Sequence, residues 1–224
     1  MRSNSSSGRL LSIMGAILIV AALGFTGYNI WLQYDAGESS QNALDSLKEV
    51  ADKATSSSVS YGDESEVNSA TETTEPPAYQ LDPYMPMPEV MVEDVPYIGI
   101  LEIPDLKLEL PVITETTYPY LKIAPCRFYG SAYLSNLVIG AHNYDTHFKK
   151  IDQLEMGSRV IFSDMDGNVF TYQVALVEVI NPNADEVLCD GSYPLTLYSC
   201  TPGGRTRVML RCEFMQVESV LPIE

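Results

Sequence analysis

Basic residues are scarce in this chain of 224 residues: 13 Lys and Arg stand against 30 Asp and Glu, giving a formal net charge of −17. Nucleic-acid binding needs clustered cations that neutralise phosphates, so the composition argues against a nucleic-acid partner. An acidic surface mainly promotes solubility and identifies no specific partner. Hydrophobic residues make up 46% of the chain, which is ordinary for a globular protein.

Cysteine and histidine, the usual zinc ligands, are also few. Four cysteines, at positions 126, 189, 200 and 212, include no pair separated by two residues, and the two histidines lie upstream of the last three. Structural zinc sites use close Cys or His pairs, so we expect no metal and no cofactor. Asp164 and Asp166 fit a hairpin turn better than a calcium site. A catalytic thiol must remain free, so the other three cysteines allow at most one disulfide. A bridge between Cys126 and Cys212 is one alternative.

The N-terminal region lacks charge over a long stretch. No charged residue occurs from Leu10 to Tyr34, and about 20 helical residues cross a bilayer core. Arg2 and Arg9 precede this stretch, so the positive-inside tendency places residues 1–9 in the cytoplasm and everything after Tyr34 outside. A cleaved signal peptide is the alternative, but its apolar core is usually shorter and ends in a small-x-small site. We therefore predict a retained anchor over 10–34.

Residues 35–91 differ in composition from their surroundings. Apolar residues at helical spacing predict a short helix over Ser40–Ala54. Between Ala51 and Glu75, 16 of 25 residues are Ser, Thr, Asp or Glu. Such a segment buries too little apolar surface to offset its ordering entropy, so we predict a disordered extracellular stalk.

The residue pattern changes again at about Val92, where short apolar runs alternate with turn residues. Seven runs are typical of β-strands: Tyr97–Ile103, Leu106–Ile113, Leu137–Ala141, Arg159–Ser163, Val169–Val179, Leu195–Cys200 and Arg207–Glu213. His147–Leu154 has the spacing of one or two helical turns. Many short strands with little helix indicate an all-β domain over 92–224, either a closed barrel or a sandwich.

Cys200 stands at the end of an apolar strand, just before a turn. A cysteine in a strand is usually a small buried hydrophobe. If the last two strands pair antiparallel around residues 201–206, however, Cys200 faces Arg207, with Cβ atoms about 4.5–5.5 Å apart. A guanidinium at that place can stabilise the anion formed when a thiolate attacks a carbonyl.

Position along the chain distinguishes the other arginines and the two histidines. Arg205 should lie in the loop and Arg211 about 13 Å along the strand, so we expect both to be solvated surface charges. His142 ends the apolar run LVIGAH after two small residues, which lets its imidazole lie close to a neighbouring strand. His147 begins a helical segment, and we expect it to be exposed or capping.

These residues together resemble the sortase family. The run from Thr196 to Cys200 (TLYSC) is similar to the TLxTC signature of sortases, and RVMLR from Arg207 resembles the strand that carries their arginine. AHN around His142 resembles their histidine motif, and Tyr97–Val112 looks like the first two strands of the sortase barrel. Ser199 replaces the usual Thr, and Ala141 replaces the usual Gly.

The resemblance implies a closed eight-stranded β-barrel with short helices and a site of Cys200, His142 and Arg207, with Thr196 and Ser199 as substrate-binding residues. Family enzymes cleave an LPXTG-type sorting signal between Thr and Gly and transfer the acyl group to an amine. The expected partners are therefore surface proteins bearing a sorting signal and a cell-wall precursor or pilin amine, with the enzyme anchored in the cell membrane.

Three alternatives stay open. Asp82-Pro83-Tyr84 resembles the lid motif of pilin-polymerising sortases, although those enzymes usually carry a second C-terminal hydrophobic segment. The domain could instead be a non-catalytic barrel that binds a wall component. A thiol hydrolase with the same residues would differ only in preferring water to an amine acceptor.

Overall fold

A computed structural model of the protein describes residues 5–57 and 76–215. A long helix, α1 (Ser5–Ser57), precedes three short helices, α2 (Ala78–Leu81), α3 (Tyr118–Leu121) and α4 (Asp185–Leu188). The strands are β1 (Val90–Val92), β2 (Val95–Ile103), β3 (Leu108–Ile113), β4 (Cys126–Tyr129), β5 (Leu137–Ala141), β6 (Arg159–Asp164), β7 (Val169–Ile180), β8 (Leu195–Cys200) and β9 (Arg207–Phe214). Single 3₁₀ turns occupy Pro104–Leu106, Ala132–Leu134 and Ile151–Gln153.

The sheet closes on itself. Its strand order is β1-β2-β3-β4-β5-β8-β9-β7-β6, and an additional pairing of β2 with β6 joins the two sides. Strands β2 to β9 therefore form a closed eight-stranded barrel, as predicted, and β1 pairs outside it on β2. Most neighbours are antiparallel, but β5 pairs with β8 in parallel, and so do β3 and β4.

Alternation along each strand fills the barrel. In β8, Leu195 and Leu197 are fully buried in the main core with Leu210 and Cys212 of β9. Aromatic side chains such as Phe162 and Tyr172 complete this core from β6 and β7. Burial of each such side chain stabilises the fold by about 1.5–3 kcal/mol.

All seven predicted strands are present, with ends shifted by at most two residues. Strands β1 and β4 were not predicted, because three and four residues are too few to show a period. The predicted helical turns at His147–Leu154 reduce to the 3₁₀ turn Ile151–Gln153. The turn between β6 and β7 fits the hairpin interpretation, since the Asp164 carboxylate accepts hydrogen bonds from the backbone of Asp166 and Asn168.

Helix α1 contains a stretch, beginning at Leu10, that is long and apolar enough to cross a membrane. The predicted helix at Ser40–Ala54 is confirmed as part of α1. Ala43, Leu44 and Leu47 are buried, and the Lys48 ammonium lies 2.6 Å from the Glu109 carboxylate of β3. The predicted stalk therefore begins with a helical segment that packs on the barrel. Its residues 58–75 lie outside the described residues.

Candidate active site

The β8–β9 hairpin brings a thiol and a guanidinium together. The two strands pair antiparallel with Cys200 directly opposite Arg207, which confirms the predicted register. Thr201 and Thr206 close the connecting loop through a backbone hydrogen bond of 2.9 Å and a contact of 2.8 Å between their hydroxyls. This hydrogen-bonded loop fixes the register at the end of the hairpin where the Cys200 and Arg207 side chains stand.

The other neighbour of β8 carries the histidine. Strands β5 and β8 run in parallel with Ala141 opposite Ser199, so His142 and Cys200 each stand one residue beyond this pair. Neighbouring strands are about 4.8 Å apart. Because β8 lies between β5 and β9, Cys200 has His142 on one side and Arg207 on the other.

Cys200 belongs to the outward row of β8. Thr196, Tyr198 and Cys200 alternate with Leu195, Leu197 and Ser199, and the second row faces the main core. Tyr198 joins an outer apolar cluster with Val138, Leu188 and Met209. Its ring lies across β5 at Gly140, where an added Cβ would stand 2.4 Å from the Tyr198 ring. Gly140 is therefore required for this packing beside the site.

Arg207 is held by two contacts. Its Nη1 donates to Oδ1 of Asp185 at 2.7 Å, and its guanidinium carbon lies 5.1 Å from the centroid of the Tyr198 ring. Asp185 begins α4, in the long connection between β7 and β8. Arginine has five N–H donors. The single bond to Asp185 therefore leaves other N–H groups of the guanidinium able to donate to an oxyanion.

His142 is framed by aromatic rings. The Tyr118 ring meets it edge-on at 6.0 Å, and the Tyr144 ring is tilted against it at 4.9 Å. Burial lowers the pKa of His142 below its ordinary value, and the Lys122 ammonium lowers that pKa further. Its Nε2 has no hydrogen-bond partner among the described residues. The ring is thus held by packing, and its buried Nε2 is unpaired among the described residues.

His147 is not exposed or capping, contrary to the prediction. Its side chain is fully buried, and among the described residues neither ring nitrogen makes a hydrogen bond of normal geometry. Burial lowers the pKa of His147 to about 4, with a smaller contribution from His142. The ring packs 5.5 Å from that of Tyr144, so His147 supports the His142 loop as a neutral residue.

The prediction for Arg211 was also wrong, whereas Arg205 is exposed in the loop as expected. Arg211 is 3% exposed, because its guanidinium pairs with both carboxylate oxygens of Asp190. It also donates to the Thr196 hydroxyl at 3.1 Å and to the Val187 carbonyl. Arg211 therefore ties the connection between β7 and β8 to the barrel.

The two residues predicted to bind substrate have buried positions. Thr196 is 1% exposed and accepts a hydrogen bond from Arg211. Ser199 is 2% exposed, and it belongs to the row that faces the core, opposite to the row of Cys200. Both side chains are thus buried in the barrel in this structure, and their contact with a substrate stays a prediction.

The four cysteines differ in accessibility. All are free thiols, and Cys126 and Cys212 lie in separate buried clusters, so the bridge between them is not formed. Burial raises the pKa of each of these two thiols to about 12. Cys189 and Cys200 are half-buried. Burial raises the pKa of Cys189, as do the nearby carboxylates of Asp185 and Asp190.

The lid-like segment lies away from these residues. Tyr79 stacks on Tyr133 with centroids 4.7 Å apart, and Tyr133 precedes the start of β5. His142 follows β5 and Cys200 ends β8, and these two strands run in parallel. Tyr84 is 84% exposed. Tyr79, in the helix directly before this segment, therefore packs near the opposite end of the barrel from Cys200.

Sequence reasoning missed the residues that surround the site. Tyr198 could have been found, because it shares the parity of Cys200 on β8. Asp185, Tyr118 and Tyr144 come from connections whose paths no periodic pattern encodes, so no sequence signal marked them.

Comparison with known proteins identifies the family. The sortase domain matches residues 101–215, which include the Cys, His and Arg positions. No curated protein matches the chain.

Similar solved structures include sortase C1 of GBS Pilus Island 1, with 21% identity over 57% of this chain and 68% of that chain (TM-score 0.47). Sortase C from Clostridium perfringens SM101 has 25% identity over 57% and 73% (TM-score 0.47). Streptococcus pneumoniae sortase C has 23% identity over 58% and 74% (TM-score 0.48). Because the domain match spans more than half of the sequence, the chain belongs to the sortase family of cysteine transpeptidases.

Proposed function

We propose that Cys200 is the nucleophile, His142 the general acid and base, and Arg207 the stabiliser of the oxyanion in a membrane-anchored transpeptidase. The observation that carries the proposal is the order of three strand ends. His142 follows β5, Cys200 ends β8 and Arg207 begins β9, and β8 lies between the other two. This order supports a thiol flanked by a proton-transfer group and a cation.

The first half of the reaction forms a thioester. The Cys200 thiolate attacks the carbonyl carbon of the residue before the scissile bond, and the carbonyl oxygen becomes an anion. Arg207 stabilises that anion through its unpaired N–H groups. His142, as an imidazolium, donates its proton to the leaving nitrogen. The C–N bond breaks, the amine product departs, and the acyl group remains on the Cys200 sulfur.

The second half transfers the acyl group. The neutral imidazole of His142 accepts a proton from the incoming amine as its nitrogen attacks the thioester carbonyl. Arg207 again stabilises the oxyanion. The C–S bond then breaks, and Cys200 leaves as a thiolate beside the regenerated imidazolium. One amide bond is exchanged for another, so the reaction needs no oxidant, reductant or cofactor.

The proposed substrate is a surface protein with an LPXTG-like sorting signal, and the proposed acceptor is a cell-wall precursor amine. The apolar stretch of α1 is the proposed single-pass anchor, with the N-terminus cytoplasmic and the barrel outside. Thr196 and Ser199 stay the proposed substrate-binding residues, and both are buried in this structure.

The test uses full-length protein in nanodiscs with an LPXTG-type peptide, with and without an amine donor, and product masses as the readout. We expect cleavage and amine-dependent transfer, both abolished in Cys200→Ala. Cys189→Ala, which removes the other half-buried cysteine, should stay active. His142→Gln and Arg207→Gln should each lower the rate by about 10²–10⁴-fold. Continued cleavage by Cys200→Ala would refute the assignment.

The same assay separates the alternatives. Equal product with and without the amine indicates a hydrolase, and intact peptide throughout indicates a non-catalytic barrel. A pilin-polymerising role remains a second candidate, and competition between a wall-type amine and a pilin-type lysine peptide tests it. Preferred transfer to the lysine peptide would replace wall anchoring by pilus assembly.

A further inference from the structure

Helix α1 contacts the loop that follows His142. Gly37 lies against Thr146, and a Cβ added at Gly37 would stand 2.7 Å from the Thr146 Cγ2. The helix backbone can therefore approach this loop only because residue 37 lacks a side chain. Gly37 is three residues beyond Tyr34, the end of the uncharged stretch, or about 5 Å along a helix.

Contacts further along α1 show which end of the barrel faces the apolar stretch. Ala43 and Ser46 of α1 lie beside Val92 and Glu93, at the turn between β1 and β2. These helix positions are roughly 14–18 Å beyond Tyr34. The loop that carries Thr146 is thus nearer to the apolar stretch than the β1–β2 turn is, and the same loop carries His142.

Aromatic side chains extend this arrangement. Tyr28 of α1 is close enough to Tyr144 to contribute to its raised pKa, after the larger effects of burial and of Tyr118. Tyr118, edge-on to His142, is 68% exposed, and Trp31 of α1 is 55% exposed. Tyr and Trp favour the headgroup region of bilayers, since one part of the side chain is apolar and the other polar.

Charge differs between the loop after His142 and the β1–β2 and β6–β7 turns, and α4 adds the exposed Asp185 and Glu186 beside Arg207. In the loop after His142, Asp145 pairs with Lys149 at 2.8 Å, and the adjacent Lys150 is exposed. The β1–β2 turn carries exposed Glu93 and Asp94, the β6–β7 turn carries exposed Asp166, and neither turn contains a cation. Anionic headgroups attract cations and repel carboxylates, so both turns are better suited to point away from a membrane.

We propose that the bilayer surface is a binding partner of the barrel: α1 and residues 142–150 dock the site-bearing end towards the lipid headgroups. This inference rests on the proposed membrane anchor but not on the proposed chemistry. Thr146 stands about 5 Å beyond the apolar stretch, and His142 is four residues, or at most about 14 Å of chain, from Thr146. The site therefore lies within about 20 Å of the end of the apolar stretch.

The docking contact is tested by a disulfide in vesicle-reconstituted full-length protein, with Cys189 and Cys200 replaced by Ser. A Cβ added at Gly37 would stand 3.3 Å from the Cβ of Thr146. This distance is slightly under the usual Cβ–Cβ separation of about 3.5–4.5 Å in a disulfide. Gly37→Cys/Thr146→Cys should form the bond on mild oxidation. The control pair Asp35→Cys/Thr146→Cys should not, because residue 35 points about 200° away around the helix.

The orientation is tested by fluorescence in the same background. A fluorophore on Lys150→Cys should lose more emission to headgroup-nitroxide lipids than one on Asp166→Cys, an exposed position in the β6–β7 turn. Equal or reversed quenching, or equal cross-linking of the two cysteine pairs, would overturn the proposal. Since Ser replaces Cys200 in these proteins, neither result depends on the enzyme being active.

Discussion

Arg207 and Asp185 form an ion pair beside the candidate nucleophile, with Nη1 and Oδ1 2.7 Å apart. The Arg207 side chain is 20% exposed and that of Asp185 is 59% exposed. An exposed pair of this kind adds about 0–1 kcal/mol to stability. Its consequence is therefore geometric: the carboxylate holds one arm of the guanidinium, over the Tyr198 ring, in a fixed direction.

Asp185→Asn should lower kcat by about 3–10-fold, corresponding to about 0.7–1.4 kcal/mol of transition-state stabilisation. The amide still accepts a hydrogen bond but no longer attracts the guanidinium, so Arg207 is held less firmly. KM and the unfolding midpoint should change little. Steady-state kinetics on the sorting peptide checks this.

Glu186→Gln is the matched control, because it removes a neighbouring exposed carboxylate of α4. Loss of kcat equal in both variants would show that general surface charge, and not the contact with Arg207, is responsible.

Lys122 should control the titration of His142. Burial is the main cause of the lowered His142 pKa, and the Lys122 ammonium is the second. Lys122→Gln removes the cation, so the pKa of His142 should rise and more imidazolium should be present at neutral pH. The imidazolium supplies the proton to the leaving amine, so the alkaline limb of the pH–rate profile, along which that proton is lost, should move to higher pH. NMR titration of the imidazole in both proteins measures the shift.

Lys150→Gln serves as the control for Lys122→Gln, since it removes a nearby exposed cation outside the contacts of His142. An unchanged His142 titration in Lys122→Gln would contradict the role assigned to the ammonium.

His147 should make the protein acid-sensitive. Its pKa is lowered to about 4 in the folded state, against about 6.5 in the unfolded chain. The unfolded state therefore binds a proton more readily, and stability present above pH 6.5 is lost as the pH falls towards 4. The full effect is roughly 3 kcal/mol. Urea unfolding of wild type and His147→Leu at several pH values should show a flatter dependence in the variant.

The carboxylates titrate equally in both of these proteins, so the difference between the two curves isolates His147. Parallel curves between pH 4 and 6.5 would mean that the imidazole is already protonated or solvated in the native state.

Arg211 should matter for stability although it lies outside the catalytic set. Arg211→Met removes the bonds to Asp190, Thr196 and the Val187 carbonyl. Breaking a buried ion pair costs about 3–5 kcal/mol, and the half-exposed Asp190 reduces this to about 2–3 kcal/mol. Urea unfolding measures the loss, and hydrogen exchange should rise in residues 181–194.

Arg205→Met removes an exposed arginine of the loop and should change stability by about 0.5 kcal/mol or less. Similar losses in Arg205→Met and Arg211→Met would contradict the anchoring role of Arg211.

Strand existence and the Cys200–Arg207 register were predictable from the sequence. Alternation, β-branched runs and a short turn specify these features locally, because a one-residue slip would send every core side chain outward. The position of His142 at the end of a buried strand was equally visible. Its adjacency to Cys200 was not a local property, since it depends on the parallel pairing of β5 with β8.

Charge and burial of single side chains were poorly predicted where partners come from distant connections. Arg211 and His147 both look like surface residues in the sequence, yet both are buried. Arg211 is buried because Asp190 reaches it from another segment, and His147 because the loop folds back beneath Tyr144.

The sequence by itself determined an apolar N-terminal helix, a run of short strands and the three reactive residue types, since periodicity and composition are local. Only the tertiary structure decided that α1 packs against the His142 loop, that Asp185 pairs with Arg207 and that Ser199 faces the core. Each of these depends on where separate segments meet once the barrel closes, and no residue pattern within one segment records that meeting.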